Sequence, residues 1–202
     1  MNSFSVRISN CTEKEFTLSY YHNGIPLTSV IVSKENGHLK AHLNTVYYDK
    51  ALPTGMGYGA KAFARLVVKL AEKDKKAIVT MHAVGEGEAY DPIEEENGFY
   101  TWPRLGANGE IDYGEIAKVL MFVERPIPGL GLITKPSKES IEKIKKFFGG
   151  AKLVSDLMAT KEGRAKWQKY GAAILCKFTV AEGTYSREVL KGYIREKGFD
   201  LN

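Results

Sequence analysis

Apolar residues in the first 50 positions fall into short runs separated by turn formers. Ser3–Ile8, Glu15–Tyr21, Leu27–Val32 and Leu39–Tyr48 are rich in β-branched and aromatic residues, with Asn10, His22-Asn23-Gly24 and Glu35-Asn36-Gly37 between them. That pattern predicts a meander of hairpins with antiparallel pairing. The period then changes. Phe63, Leu66, Val67 and Leu70 fall at i, i+3, i+4 and i+7, one apolar face of a helix running from Gly59 or Ala60 to about Asp74. Ala77–Val84 follows as a short apolar strand, so strand, glycine-rich turn, helix and strand form a βαβ unit with its two strands parallel.

Beyond Val84 the signals are less regular. Gly85–Glu96 is polar and acidic, and Pro92 forbids a continuous helix through it. Asn97–Leu105 is aromatic and reads equally as a short helix or a strand, whereas Tyr113–Val123 reads as a helix. Ser137 is placed to cap a helix carrying Ile141, Ile144 and Phe148 and ending at Gly149-Gly150. A single helix is expected over Val154–Lys169 and a strand over Ala172–Val180. Ser186 is expected to cap a last helix with Val189, Leu190, Tyr193 and Ile194 inward. The prediction is one α/β unit over 1–202, with a mixed, mostly antiparallel central sheet flanked by helices. Residues 1–107 form its strand-rich half, 112–170 a helical elaboration in the C-terminal half, and 171–202 a closing strand and helix.

Composition narrows the class rather than the function. With 202 residues, 44% hydrophobic and 26% charged, the chain reads as an ordinary globular protein long enough to bury its own core. Cys11 and Cys176 belong to no pair motif and read as reduced packing residues, which suits a cytoplasmic protein. Met1–Asn10 lacks the basic start and apolar run of a signal peptide. No run of about 18 apolar residues appears, so a soluble protein is expected. The net charge of +5 favours anionic partners only mildly.

One segment carries specific chemistry. Gly55-Met56-Gly57-Tyr58-Gly59 lies between a predicted strand and an amphipathic helix. Glycines there let the backbone approach a phosphate, while the first helical amides and the positive end of the helix dipole point at it. The spacing GxGxG is neither the GxGxxG of dinucleotide sites nor the GxxxxGK of a P-loop. No metal site is expected, because His22, His38, His42 and His82 are not paired at ligand spacing. No Gly-x-Ser-x-Gly elbow is present either.

Thr54-Gly55-Met56-Gly57-Tyr58-Gly59 resembles the coenzyme loop of the Gcn5-related N-acetyltransferase (GNAT) superfamily, whose pattern is Arg or Gln, two residues, Gly, one residue, then Gly or Ala. It departs only at Thr54. Leu39–Tyr48, Ala60–Lys73 and Ala77–Val84 resemble the strand, helix and strand around that loop. Trp102-Pro103-Arg104-Leu105-Gly106-Ala107 resembles the family's Tyr-x-x-x-Gly-Phe segment, with Trp102 and Ala107 substituted; Asn97-Gly98-Phe99 offers a second register. The likeness covers roughly residues 3 to 107.

The resemblance implies a GNAT-like fold and transfer of an acetyl group from acetyl-coenzyme A to an amine of a small molecule or protein. It places the coenzyme's pyrophosphate on the amides of Gly57, Tyr58, Gly59 and Ala60, beside Thr54, Gly55 and Met56. Pantetheine would then run along the strand end near Tyr47 and Tyr48, with Lys50 and Lys61 near in sequence. His82, alternating with Thr80 and Val84 on a strand bordering the acceptor site, is the candidate base, with Glu86 and Glu88 as alternatives. Tyr100, or Tyr90, is the candidate acid, since the indole of Trp102 cannot serve. The competing expectation is a catalytically weak module of the same fold that binds nucleic acid or protein. Lys135–Lys152 would carry it, with six lysines against two glutamates and Phe147 and Phe148 among them.

Overall fold

The computed structural model describes residues 4–46, 57–84, 98–121 and 135–199. Among them lie a six-stranded sheet and seven helices, a mixed α/β arrangement. The strands are β1 (Phe4–Ser9), β2 (Glu15–His22), β3 (Ile25–Glu35), β4 (His38–Val46), β5 (Ile78–Ala83) and β6 (Ile174–Thr179). They are ordered β1-β2-β3-β4-β5-β6 across the sheet. β1 to β4 pair antiparallel in succession, and β4 pairs parallel with β5. The Val180 N–H donates to the Ala77 carbonyl at 3.3 Å; the end of β6 thus meets the start of β5, and those strands run in opposite directions. No described helix is long and apolar enough to cross a membrane.

The hairpins form as their turns dictate. Asn23-Gly24 and Asn36-Gly37 all take positive φ, at 51°, 83°, 50° and 84°. Two consecutive left-handed residues make the turn whose twist matches the flanking strands. His22 then pairs with Ile25 and Glu35 with His38.

Contacts divide the chain into two units, Met1–Met81 with Lys177–Asn202, and His82–Cys176. In the first, α1 (Tyr58–Lys73) buries Phe63, Leu66, Val67 and Leu70. The same core takes in Val30, Val32, Ala41, Leu43, Val79, Met81 and Phe178, and Phe63 meets Phe178 edge to face at 5.1 Å. Each such side chain stabilises the unit by about 1.5–3 kcal/mol. The opposite face of these strands carries Thr17, Ser19, Ser29, Ile31, Ser33, Lys40, His42, Asn44, Ile78 and Thr80, as the register requires. It is polar and largely hydroxyl-bearing, with Ser29 buried and His42, Asn44 and Ile78 exposed.

At the far end of α1 the Asp74 carboxylate accepts the amides of Leu39 at 2.7 Å and Lys76 at 2.9 Å, and His38 Nδ1 lies 3.2 Å from it. These bonds, the Leu39 amide foremost, hold the Asp74 carboxyl below its ordinary range. α7 (Tyr185–Lys197) closes the unit. Its cap is Thr184, whose hydroxyl accepts the Arg187 amide, and not Ser186, which is buried in the first turn.

The second unit packs α2 (Gly98–Arg104), α3 (Tyr113–Leu120), α4 (Lys138–Phe147), α5 (Val154–Met158) and α6 (Lys161–Tyr170) around Trp167. The Trp167 indole N–H donates to the Phe99 carbonyl at 2.9 Å, and its ring lies 6.2 Å from both Phe99 and Phe148. The helix expected over Val154–Lys169 is two: Thr160 takes an extended conformation and caps α6 by accepting the Gly163 amide, which breaks the ladder before Lys161. The segment open to either reading, Asn97–Leu105, is helical from Gly98. Cys176 packs in the core, and burial pushes its thiol up to about 12. Cys11 is a correction: it is exposed, on the loop after β1, with its thiol 3.9 Å from the Ser9 carbonyl.

Candidate functional site

The beginning of α1 is assembled from glycine chemistry. Gly57 caps the helix in the left-handed conformation, φ 68° and ψ 24°, and no side chain caps it. Its carbonyl accepts the first helical bond, from the Lys61 amide at 2.9 Å. The amides of Tyr58, Gly59 and Ala60 precede that bond, so the helix provides them no partner. The first turn holds no acidic residue. It is instead followed by Lys61, a cation at the positive end of a dipole, which on its own is unfavourable.

Aromatic rings surround this helix end. The Lys61 ammonium stands 4.9 Å from the Phe199 ring centroid and 5.7 Å from that of Tyr58. Phe199 lies directly over Gly57, so that a Cβ added there would overlap its ring. Phe199 is fixed in turn: Gly198 takes φ 61° beyond α7, and the Phe199 amide donates to the Ile194 carbonyl at 3.0 Å. On the other side of Tyr58 lies His22, ring centroids 4.4 Å apart, with Phe4 beyond it at 4.9 Å. His22 is 2% exposed, and among the described residues its Nδ1 has no hydrogen-bond partner. A buried polar atom left open beside an uncapped helix end is unusual.

Of the expected coenzyme-binding residues, Gly57, Tyr58, Gly59 and Ala60 therefore sit together at one helix N-terminus. Tyr47, Tyr48, Thr54, Gly55 and Met56 lie outside the described residues, as do Lys50, Glu86, Glu88 and Tyr90. His82 is exposed on β5. Tyr100 is half-buried on α2, its ring 6.5 Å from that of Phe99. Trp102 is buried; Gly106 after it takes φ 100°, which lets the Ala107 amide turn back to the Trp102 carbonyl at 3.0 Å.

The strand that leads to this loop has an irregular end. Ser29 pairs with Thr45 but Val30 with Leu43, so Asn44 is an extra, bulged residue in β4. A bulge raises local twist and releases ladder groups. The parallel pairs with β5 stop at Leu43↔Met81, although β4 continues to Val46. One feature nearby was missed by sequence reasoning. His42 Nδ1 lies 3.0 Å from Thr80 Oγ1, and the Thr80 hydroxyl also lies 3.4 Å from the Ala41 carbonyl. Only the β4–β5 register joins these residues; the available signal was that His42 alternates with Lys40 and Asn44 along a strand.

The lysine-rich segment is an ordinary amphipathic helix. Ile144 and Phe148 are buried, and on the outer side Lys143 pairs with Glu139 at 2.7 Å and Lys145 with Glu142 at 3.9 Å. No family model matches the chain, and no curated protein matches it.

Proposed function

We propose that this chain is a GNAT-type N-acetyltransferase that transfers the acetyl group of acetyl-coenzyme A to an amine of a small molecule or protein. The observation that carries the reading is the beginning of α1. Three amides without a helical partner, a left-handed glycine, no acid and a lysine suit an anion, and the coenzyme's pyrophosphate matches them in charge. The strand before it supports the same reading. Past the bulge at Asn44, β4 has backbone groups without a β5 partner, and an extended pantetheine arm bears the amides that pair with such an edge.

In this reading the enzyme's task is positioning, together with removal of the ammonium proton of the acceptor. Of the residues the resemblance implies for proton handling, His82 and Tyr100 are among the described ones. Calorimetry with acetyl-coenzyme A tests the reading. The native chain is expected to bind and Ala60→Glu to bind at least tenfold more weakly, because its carboxylate would face the pyrophosphate. Absence of binding by the native chain ends the reading. Equal binding by both ends the assignment to this helix.

A further inference from the structure

We propose that His42 is the general base of the transfer, held in its reactive form by Thr80; the inference rests on the acetyltransferase reading above. The hydroxyl of Thr80 has one proton and two neighbours. The Ala41 carbonyl, 3.4 Å away, can only accept. For both contacts to be hydrogen bonds, Thr80 donates to Ala41 and the proton between Thr80 and His42, 3.0 Å apart, comes from His42 Nδ1. In that arrangement the neutral ring carries its proton on Nδ1. The lone pair is then on Nε2, and the side chain is exposed on the hydroxyl-bearing face of the sheet.

The position suits the task. His42 pairs with Thr80 one step before the last parallel pair, Leu43↔Met81, and two residues before the bulge at Asn44. At about 3.3 Å per residue, the part of β4 without a β5 partner begins within roughly 7 Å along the strand, near enough for an imidazole to reach an amine held there directly or through one water. The groups around His42 are few. β3 supplies Ile31 opposite it, with Ser29 and Ser33 alongside, and β5 supplies Thr80 and Ile78. On β4 itself Lys40 is held by Glu35 at 3.1 Å. Lys40 and Glu35 are the charged groups among these residues, and His82, two positions beyond Thr80 on the same face of β5, is a further titratable group.

In the reaction Nε2 takes a proton from the acceptor ammonium, and the freed nitrogen lone pair forms a C–N bond to the thioester carbonyl carbon. The C–S bond breaks with its electron pair on sulfur. A second proton from the nitrogen ends on that thiolate, giving amide and free coenzyme A thiol, and His42 returns its proton to water.

Two measurements test this. In nitrogen-15 long-range spectra, neutral His42 is expected to carry its proton on Nδ1 in the native chain and to lose that preference in Thr80→Val. An Nε2-protonated His42 in the native chain overturns the proposal. Thiol release from acetyl-coenzyme A is then followed with spermidine and a lysine-containing peptide as amine probes, with coenzyme binding measured in parallel. His42→Gln is expected to lower kcat by roughly 10²–10⁴-fold and to leave coenzyme affinity unchanged. Thr80→Val is expected to lower kcat less. Undiminished turnover by His42→Gln overturns the assignment, as does coenzyme binding by the native chain without thiol release from either probe. Failure of the native chain to bind the coenzyme is a different result: it removes the acetyltransferase reading and this inference with it.

Discussion

The two helices of the first unit begin in opposite ways. α7 opens on Thr184, whose hydroxyl accepts the Arg187 amide, with Glu188 in the first turn. α1 opens on a glycine without a side-chain cap or an acid. Every other described helix of eight or more residues follows α7: Asp112, Ser137 and Thr160 cap α3, α4 and α6, and Glu115, Glu139 and Glu162 sit in their first turns. Side-chain caps and first-turn acids are how a helix satisfies its own leading amides and dipole. Four helices carry a side-chain cap and a first-turn acid of their own, and α1 carries neither.

The largest expected effect that sharpens this contrast is at Gly57. Gly57→Ala meets both the left-handed backbone and the Phe199 ring, and urea unfolding is expected to register a loss of roughly 2–5 kcal/mol. Gly198→Ala, also at positive φ but with nothing within 4 Å of the added carbon, is expected to lose only the backbone part, about 1–2 kcal/mol. Equal losses would mean that Phe199 yields freely and does not hold the loop. Next comes Thr184→Ala, expected to cost about 0.5–2 kcal/mol because it strips α7 of its cap.

The converse change rebuilds α1 in the style of α7. Ala60→Glu places an acid in the first turn and is expected to raise stability by about 0.3–1 kcal/mol while weakening coenzyme binding. A variant that gained stability and kept its affinity would break the comparison. The smallest effect lies at the other end of α1. The folded Asp74 carboxyl titrates below its ordinary value, the Leu39 amide being the main cause. Its contribution is therefore complete above the ordinary carboxylate range and is lost as pH falls through the lowered value. Asp74→Asn is expected to flatten the acid side of the stability–pH curve and to leave the neutral side parallel to the native one. An unchanged acid side would refute the linkage.

Local rules were legible in the sequence, and long-range pairing was not. Asn23-Gly24 and Asn36-Gly37 announced their hairpins because two left-handed residues in succession admit few sequences. Phe63, Leu66, Val67 and Leu70 announced the buried face of α1. The break at Thr160 was missed although Lys161–Arg164 carries no apolar side chain, and a threonine declares itself a cap only once its backbone is extended. Thr184 and Ser186 are chemically alike as caps, and their neighbours did not separate them. At the site, the glycine loop was visible as a pattern. The pairing of His42 with Thr80 depended on the register of two parallel strands joined through a helix, which no local pattern encodes. His82, two positions from Thr80 on the same strand, drew attention for its spacing, although the hydrogen bond to Thr80 is made by His42.

The ring of Phe199 over Gly57 also bears on how the protein is made. At about 5–20 residues per second, roughly 140 residues of synthesis separate the two, so a ribosome finishes the loop's neighbour on the order of ten seconds after the loop itself. In that interval the meander and α1 can already be paired, since their contacts are local, while Gly57 faces water where the ring will sit. The start of α1 thus matures late and from a distance, and a nascent chain carries a paired meander before the ring covers Gly57.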